Sequence, residues 1–145
     1  MKKIILAVFT LACSVYAIAS DPGVDEKVLA AFNKTFQQAK DVSWTESGDN
    51  YQVKFTQNDI ASRVYYDRDG NILKTFRYYE EQGLPLLILS KIKSKYSDCK
   101  IHGVVEISSE IGTYYYITIH NSTHWMEIKS DSYGSMSREK KFRKG

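Results

Sequence analysis

Apolar residues in the first third of the chain recur at two different periods. Val28, Leu29, Phe32 and Phe36 follow helical spacing in DEKVLAAFNKTFQQAK, behind Asp25 and Glu26, where a helix start favours negative charge. A second stretch, LPLLILSKIKSKY, carries Leu89, Ile92 and Tyr96 at matching steps, with Pro85 acceptable in the first turn. Each stretch predicts a helix of about three to four turns whose apolar stripe needs cover.

The cover follows at once in each half. VSWTES, NYQVKFTQ, ASRVYYD and NILKTFRYY come after the first helix, divided by Gly48, Asn58-Asp59 and Asp69-Gly70. IHGVVEISS, TYYYITIH, HWMEIKS and SMSREKKF come after the second, divided by Ile111-Gly112, Asn121-Ser122 and Tyr133-Gly134. Short alternating runs joined by polar turns read as antiparallel meanders. The predicted fold class is therefore α+β: a tandem repeat of one helix and about four strands, with the helices packed on one face of the sheet or sheets.

The two halves also match in order. Phe32 and Phe36 answer Ile92 and Tyr96, Tyr51-Val53-Phe55 answers Tyr115-Ile117-Ile119, and Val64-Tyr66 answers Met126-Ile128. This is the pattern of a duplicated unit of about 55 to 60 residues, marginal alone. The expected division is residues 20–81 for the first repeat and 82–145 for the second, joined at Glu80-Glu81-Gln82-Gly83 within one compact domain.

Strand alternation then names a face. With Tyr51, Val53, Phe55, Val64 and Tyr66 turned toward the first helix, Gln52, Lys54, Arg63 and Tyr65 turn away. With Tyr115, Ile117, Ile119, Met126 and Ile128 inward, Tyr114, Tyr116, Thr118, Trp125 and Glu127 turn away. Aromatic residues and arginine are enriched at interface hot spots, so Lys54, Arg63, Tyr65, Tyr114, Tyr116, Trp125 and Glu127 are the candidate protein-binding set. The competing reading makes them ordinary cross-strand pairs.

Residues 1–19 change the picture of where the chain works. Lys2-Lys3, the apolar run Ile4 to Ala12 and the triplet Ala17-Ile18-Ala19 have the layout of a secretory signal peptide cleaved after about Ala19, which predicts a periplasmic or secreted protein. The apolar run is short of the ~20 residues a bilayer requires, so no transmembrane span is expected. A lipid anchor at Cys13 is disfavoured by Thr10, which stands where a bulky aliphatic is usual.

Charge and candidate chemistry remove options. Loss of Lys2 and Lys3 leaves 18 basic against 17 acidic side chains, which gives no electrostatic case for nucleic acid. The basic run Arg138 to Lys144 reads as a solvated edge strand protected by its lysines. Cys99, near Ile101, reads as a small buried residue. Asp67-Arg68-Asp69-Gly70 reads as a hairpin turn: the twelfth position of a calcium loop starting at Asp67 would be Tyr78, not the required Glu. The turn expected to correspond, Lys129 to Gly134, keeps one acid and the glycine. His120 and His124 could approach across their hairpin, but no third metal ligand is apparent. No nucleophile elbow or phosphate-cradling loop stands out. No catalytic residue, metal or cofactor is expected.

Trp44, Tyr51 to Phe55, Tyr66 to Lys74, Leu84-Pro85 and Ile92 to Tyr96 together resemble the PepSY-like family of exported bacterial proteins, whose fold is similar to that of beta-lactamase inhibitory protein. The resemblance covers nearly all of the mature chain, but its motifs are structural. It implies a helix-backed antiparallel sheet in each half, an open sheet face able to dock another protein, and residence in the periplasm or envelope. The second half departs from the family pattern in its last hairpin, which lacks the acidic turn. Two functions stay open: a non-catalytic module binding another exported or envelope protein, such as an exported hydrolase that it inhibits, and a small-ligand sensor or carrier with a pocket between helix and sheet.

Overall fold

Alternating burial along the strands assigns one side of a single sheet to the core. The computed structural model describes residues 23–145; the expected signal peptide and Cys13 lie outside the described residues. Helix α1 (Glu26–Thr35) precedes β1 (Lys40–Ser47), β2 (Asn50–Gln57), β3 (Ile60–Tyr66) and β4 (Ile72–Tyr79). A short 3-10 turn (Glu81–Gly83) leads to α2 (Leu86–Lys95), then β5 (Lys100–Ser109), β6 (Gly112–His120), β7 (His124–Asp131) and β8 (Met136–Arg143). The eight strands form one sheet in sequence order, antiparallel throughout. None of the helices of the described residues is long and apolar enough to cross a membrane.

Both helices are shorter than their apolar patterns predict, and they end alike. The Phe36 N–H donates to Phe32 O and the Ala39 N–H to Phe36 O; the Tyr96 N–H donates to Ile92 O and the Cys99 N–H to Tyr96 O. Each aromatic residue leaves the helix and turns the chain into the next strand, so Phe36 can pack on Phe55 with ring centroids 4.6 Å apart. Pro85 stands just before α2 rather than in its first turn: its backbone is extended, and its carbonyl accepts the first helical bond, from Leu89.

The core divides in two. Val28 and Phe32 of α1 pack on Tyr51, Val53, Phe55, Val64 and Tyr66. Ile88 and Ile92 of α2 pack on Val104, Ile117, Ile119, Met126 and Ile128, with Leu84 and Tyr115. Full burial of such side chains is worth ~1.5–3 kcal/mol each. Ile88 takes the central position expected of Leu89, which sits at the flank. Register carries the inward side from one cluster to the other: Phe55 pairs with Ser62, Ser62 with Arg77, Arg77 with Glu106, and Glu106 with Tyr115. Both helices therefore lie on the same face.

Register also corrects one correspondence between the halves. Val53 pairs with Val64, and Ile117 with Ile128. Val64 thus occupies the place of Ile128, and Tyr66 that of the buried Ser130, two residues from the match that hydrophobicity suggested.

The last turn of the second half is not the departure it looked. Asp67 accepts from the Asp69 N–H and Asn71 N–H at 2.9 Å, and Gly70 has φ +87°. Asp131 accepts from the Tyr133 N–H and Ser135 N–H at 2.9 Å, and Gly134 has φ +76°. One carboxylate suffices to hold such a turn.

Candidate binding face

The face opposite the helices carries all seven of Lys54, Arg63, Tyr65, Tyr114, Tyr116, Trp125 and Glu127. Their neighbours in each strand are the buried Val53, Phe55, Val64, Tyr66, Tyr115, Ile117, Met126 and Ile128, so alternation turns the seven away from the core. Register sorts them into groups. Lys54 lies opposite Arg63, and Arg63 opposite Phe76. Tyr114 and Tyr116 lie opposite Asp131 and Lys129.

Sequence reasoning missed the middle of this face. Over Thr75–Tyr78 of β4 and Val105–Ser108 of β5 the polarity is inverted: Thr75, Arg77, Glu106 and Ser108 point to the helix side, whereas Phe76, Tyr78, Val105 and Ile107 point to the open side. Phe76 pairs with Ile107, which pairs with Tyr114; Tyr78 pairs with Val105, which pairs with Tyr116. The result is two adjacent half-buried apolar rows across three strands. The signal was the alternation over Thr75–Tyr78 and Val105–Ser108, which fits either face until the neighbouring strands set the phase.

Cations rim these rows. Lys74 Nζ stands 4.9 Å and Arg63 Cζ 5.9 Å from the Phe76 ring centroid, and Tyr65 packs on the same ring at 5.9 Å. Lys129 Nζ lies 4.6 Å from the Tyr114 ring and 5.7 Å from that of Tyr116. Cation–π contacts of this kind hold a long side chain against the ring while its charge stays available. None of Lys54, Arg63, Lys74 and Lys129 makes an ion pair among the described residues. Arg63 Nε is buried without a hydrogen-bond partner.

Trp125 stands apart, beyond the row in which Thr118 faces Glu127. Glu127 is paired to Lys140 at 3.1 Å. Trp125 collects His120 at 4.5 Å, His102 at 5.0 Å and Lys144 Nζ at 5.1 Å. Its environment is an aromatic and basic corner at the sheet's end.

His120 and His124 do not meet across their hairpin. His120 is in phase with Tyr116, on the open side, and His124 with Met126, on the helix side; His124 Nδ1 lies 2.8 Å from Thr123 Oγ1. No three His, Cys, Asp or Glu side chains come together to hold a metal among the described residues. Cys99 packs against the α2 core, and burial, followed by the Asp98 carboxylate, pushes its thiol up from the ordinary value. Exposed apolar residues elsewhere include Leu86 and Leu87 at the start of α2, 83% and 53% exposed.

No family model matches this chain, and no curated protein matches its sequence. Solved structures do resemble it. A BLIP-like protein from Bacteroides fragilis superposes with a TM-score of 0.65 at 20% identity, over 84% of this chain and 89% of that one. A DUF2874 family protein from Bacteroides uniformis gives 0.63 at 15% identity, over 83% and 89%. A protein ascribed to the periplasm of Bacteroides eggerthii gives 0.62 at 16% identity, over 83% and 88%. The chain shares their fold, an eight-stranded antiparallel sheet with two helices.

Proposed function

We propose that this chain is an exported, non-catalytic binding module that docks a protein partner on the open face of its sheet. The observation that carries this reading is the inverted polarity over Thr75–Tyr78 of β4 and Val105–Ser108 of β5, which puts Phe76, Tyr78, Val105 and Ile107 on the open side while Thr75, Arg77, Glu106 and Ser108 take the helix side. An aromatic patch rimmed by unpaired cations suits a partner that inserts apolar side chains between carboxylates. Phe76, Tyr78, Tyr114 and Tyr116 form the anchor, Lys54, Arg63, Tyr65, Lys74 and Lys129 the rim, and Trp125 with Glu127 a separate flank.

The likeness to a BLIP-like protein supports a protein as the partner, with an exported hydrolase as the first class to try. The leader-like pattern of residues 1–19 and the likeness to a protein ascribed to the periplasm support export. The paired turns at Asp67 and Asp131, and the paired helix exits at Phe36 and Tyr96, support duplication of a helix-and-meander unit over residues 20–81 and 82–145.

Site-specific photo-crosslinking tests the reading. A photoreactive residue at Tyr116 is expected to yield one dominant protein adduct in envelope preparations, and the same residue at Leu87 none. An adduct from position 87 alone would place the interface on the helix side.

A further inference from the structure

A cleft beside α1 is floored by polar strand residues, among them Ser62, Thr75 and Arg77. Arg77 and Glu106 pair at 3.2 Å beneath this cleft, and the Tyr79 O–H donates to Glu106 Oε2 at 2.6 Å. Burial, followed by that hydrogen bond, pushes the Tyr79 hydroxyl well above its ordinary value, so it stays a donor. Glu106 is thereby committed to its neighbours. Arg77 reaches it through Nη1 alone, which leaves Nη2 and Nε without a partner among the described residues.

A cavity of about 190 Å³ opens beside Arg77, below the C-terminal end of α1. Phe36, Phe55, Ile60 and Val64 supply apolar walls, and Ser62 and Thr75 lie along the sheet. Gln57 also lines it, and Gln57 Oε1 is buried with no hydrogen-bond partner among the described residues. Leaving a buried acceptor unpaired forfeits its hydrogen bond to water with no replacement, so its persistence at a cavity wall points to a donor that arrives from outside.

We propose that this cleft binds a small aromatic carboxylate carrying a ring hydroxyl. The volume sets the size, because a cavity of ~150 Å³ admits benzene and this one admits a ring with a short substituent. The two free donors of Arg77 match the fork of a carboxylate. Gln57 Oε1 accepts from the ring hydroxyl. The site is independent of the open face, on the opposite side of the sheet.

The test uses 4-hydroxyphenylacetate and p-cresol, which differ only by the carboxylate, titrated to about 10 mM into the mature chain under amide NMR. Saturable shifts are expected at Gln57, Ser62, Thr75 and Arg77, with the acid binding about tenfold tighter, the effect of one charge-assisted contact. The Arg77→Gln/Glu106→Gln double variant, which leaves no lone charge, should abolish that advantage and keep p-cresol binding. If that variant does not fold, Gln57→Leu should weaken both probes severalfold. Absence of saturable shifts at the cavity, an acid advantage that survives the double variant, or Gln57→Leu affinities equal to wild type would each overturn the site.

Discussion

Asp67 and Asp131 hold equivalent turns in the two halves, each carboxylate accepting backbone N–H groups two and four residues ahead. Asp67 is the more committed of the two, since Asn71 Nδ2 also donates to it at 2.9 Å. That amide, followed by the backbone donors, holds its carboxyl below the ordinary 3.8. A lowered native pKa contributes stability above the unfolded value and loses it as pH falls through the native one. Asp67→Ala should therefore lower the melting temperature more than Asp131→Ala at pH 7, and its deficit against wild type should shrink below about pH 4. Thermal melts at pH 7 and pH 3 check both statements.

The glycines of the same turns differ in what stands beside them. A Cβ on Gly70 would meet Lys27 O at 3.1 Å and Ala31 Cβ at 3.2 Å, both fixed in α1. A Cβ on Gly134 would meet Lys91 Cδ at 2.8 Å, the middle of a flexible side chain. Both positions have positive φ, so alanine costs ~1 kcal/mol at either. Gly70→Ala should cost clearly more than Gly134→Ala in urea denaturation, because a helix must move rather than a lysine.

Tyr66 is buried at 1% exposure, and its hydroxyl has no partner among the described residues. Removing an unpaired buried hydroxyl is expected to be neutral or stabilising by up to ~1 kcal/mol, so Tyr66→Phe should not destabilise the protein. Burial pushes the Tyr66 pKa from 10 to about 12. With the native value raised, the unfolded chain ionises first, and stability is lost as pH rises from 10 toward 12. Wild type should lose stability across that window more steeply than Tyr66→Phe, as urea melts at pH 9 and pH 11 would show.

Legibility in the sequence followed the strength of local signals. Strands β2, β3, β6 and β7 were readable because one side of each faces a helix, and Val53, Val64, Ile117 and Ile128 alternate against polar neighbours. Strands β4 and β5 hid their phase because over Thr75–Tyr78 and Val105–Ser108 the polar residues take the helix side and the apolar ones the open side. No periodicity distinguishes that inversion from the usual phase; the pairing of Arg77 with Ser62 and Glu106 does. Phe76, Tyr78, Val105 and Ile107 were therefore missed, while Tyr114 and Tyr116, in better-phased strands, were found. The helix ends were overextended because Phe36 and Tyr96 continue the apolar spacing after the backbone has turned. The matched turns were underrated because Asp69 counts as a second acid in composition but gives only its backbone N–H to Asp67.

The most direct test of the binding face is affinity isolation from envelope extract with three baits: residues 20–145, a Tyr78→Ala/Tyr116→Ala variant and a Leu86→Ala/Leu87→Ala variant, each shown folded by circular dichroism. Quantitative mass spectrometry should find one protein enriched by the wild type and the leucine variant and depleted at least about tenfold by the tyrosine variant, the size expected for two anchor residues. A protein retained equally by the tyrosine variant, or lost only with the leucines, would contradict the assignment of the open face.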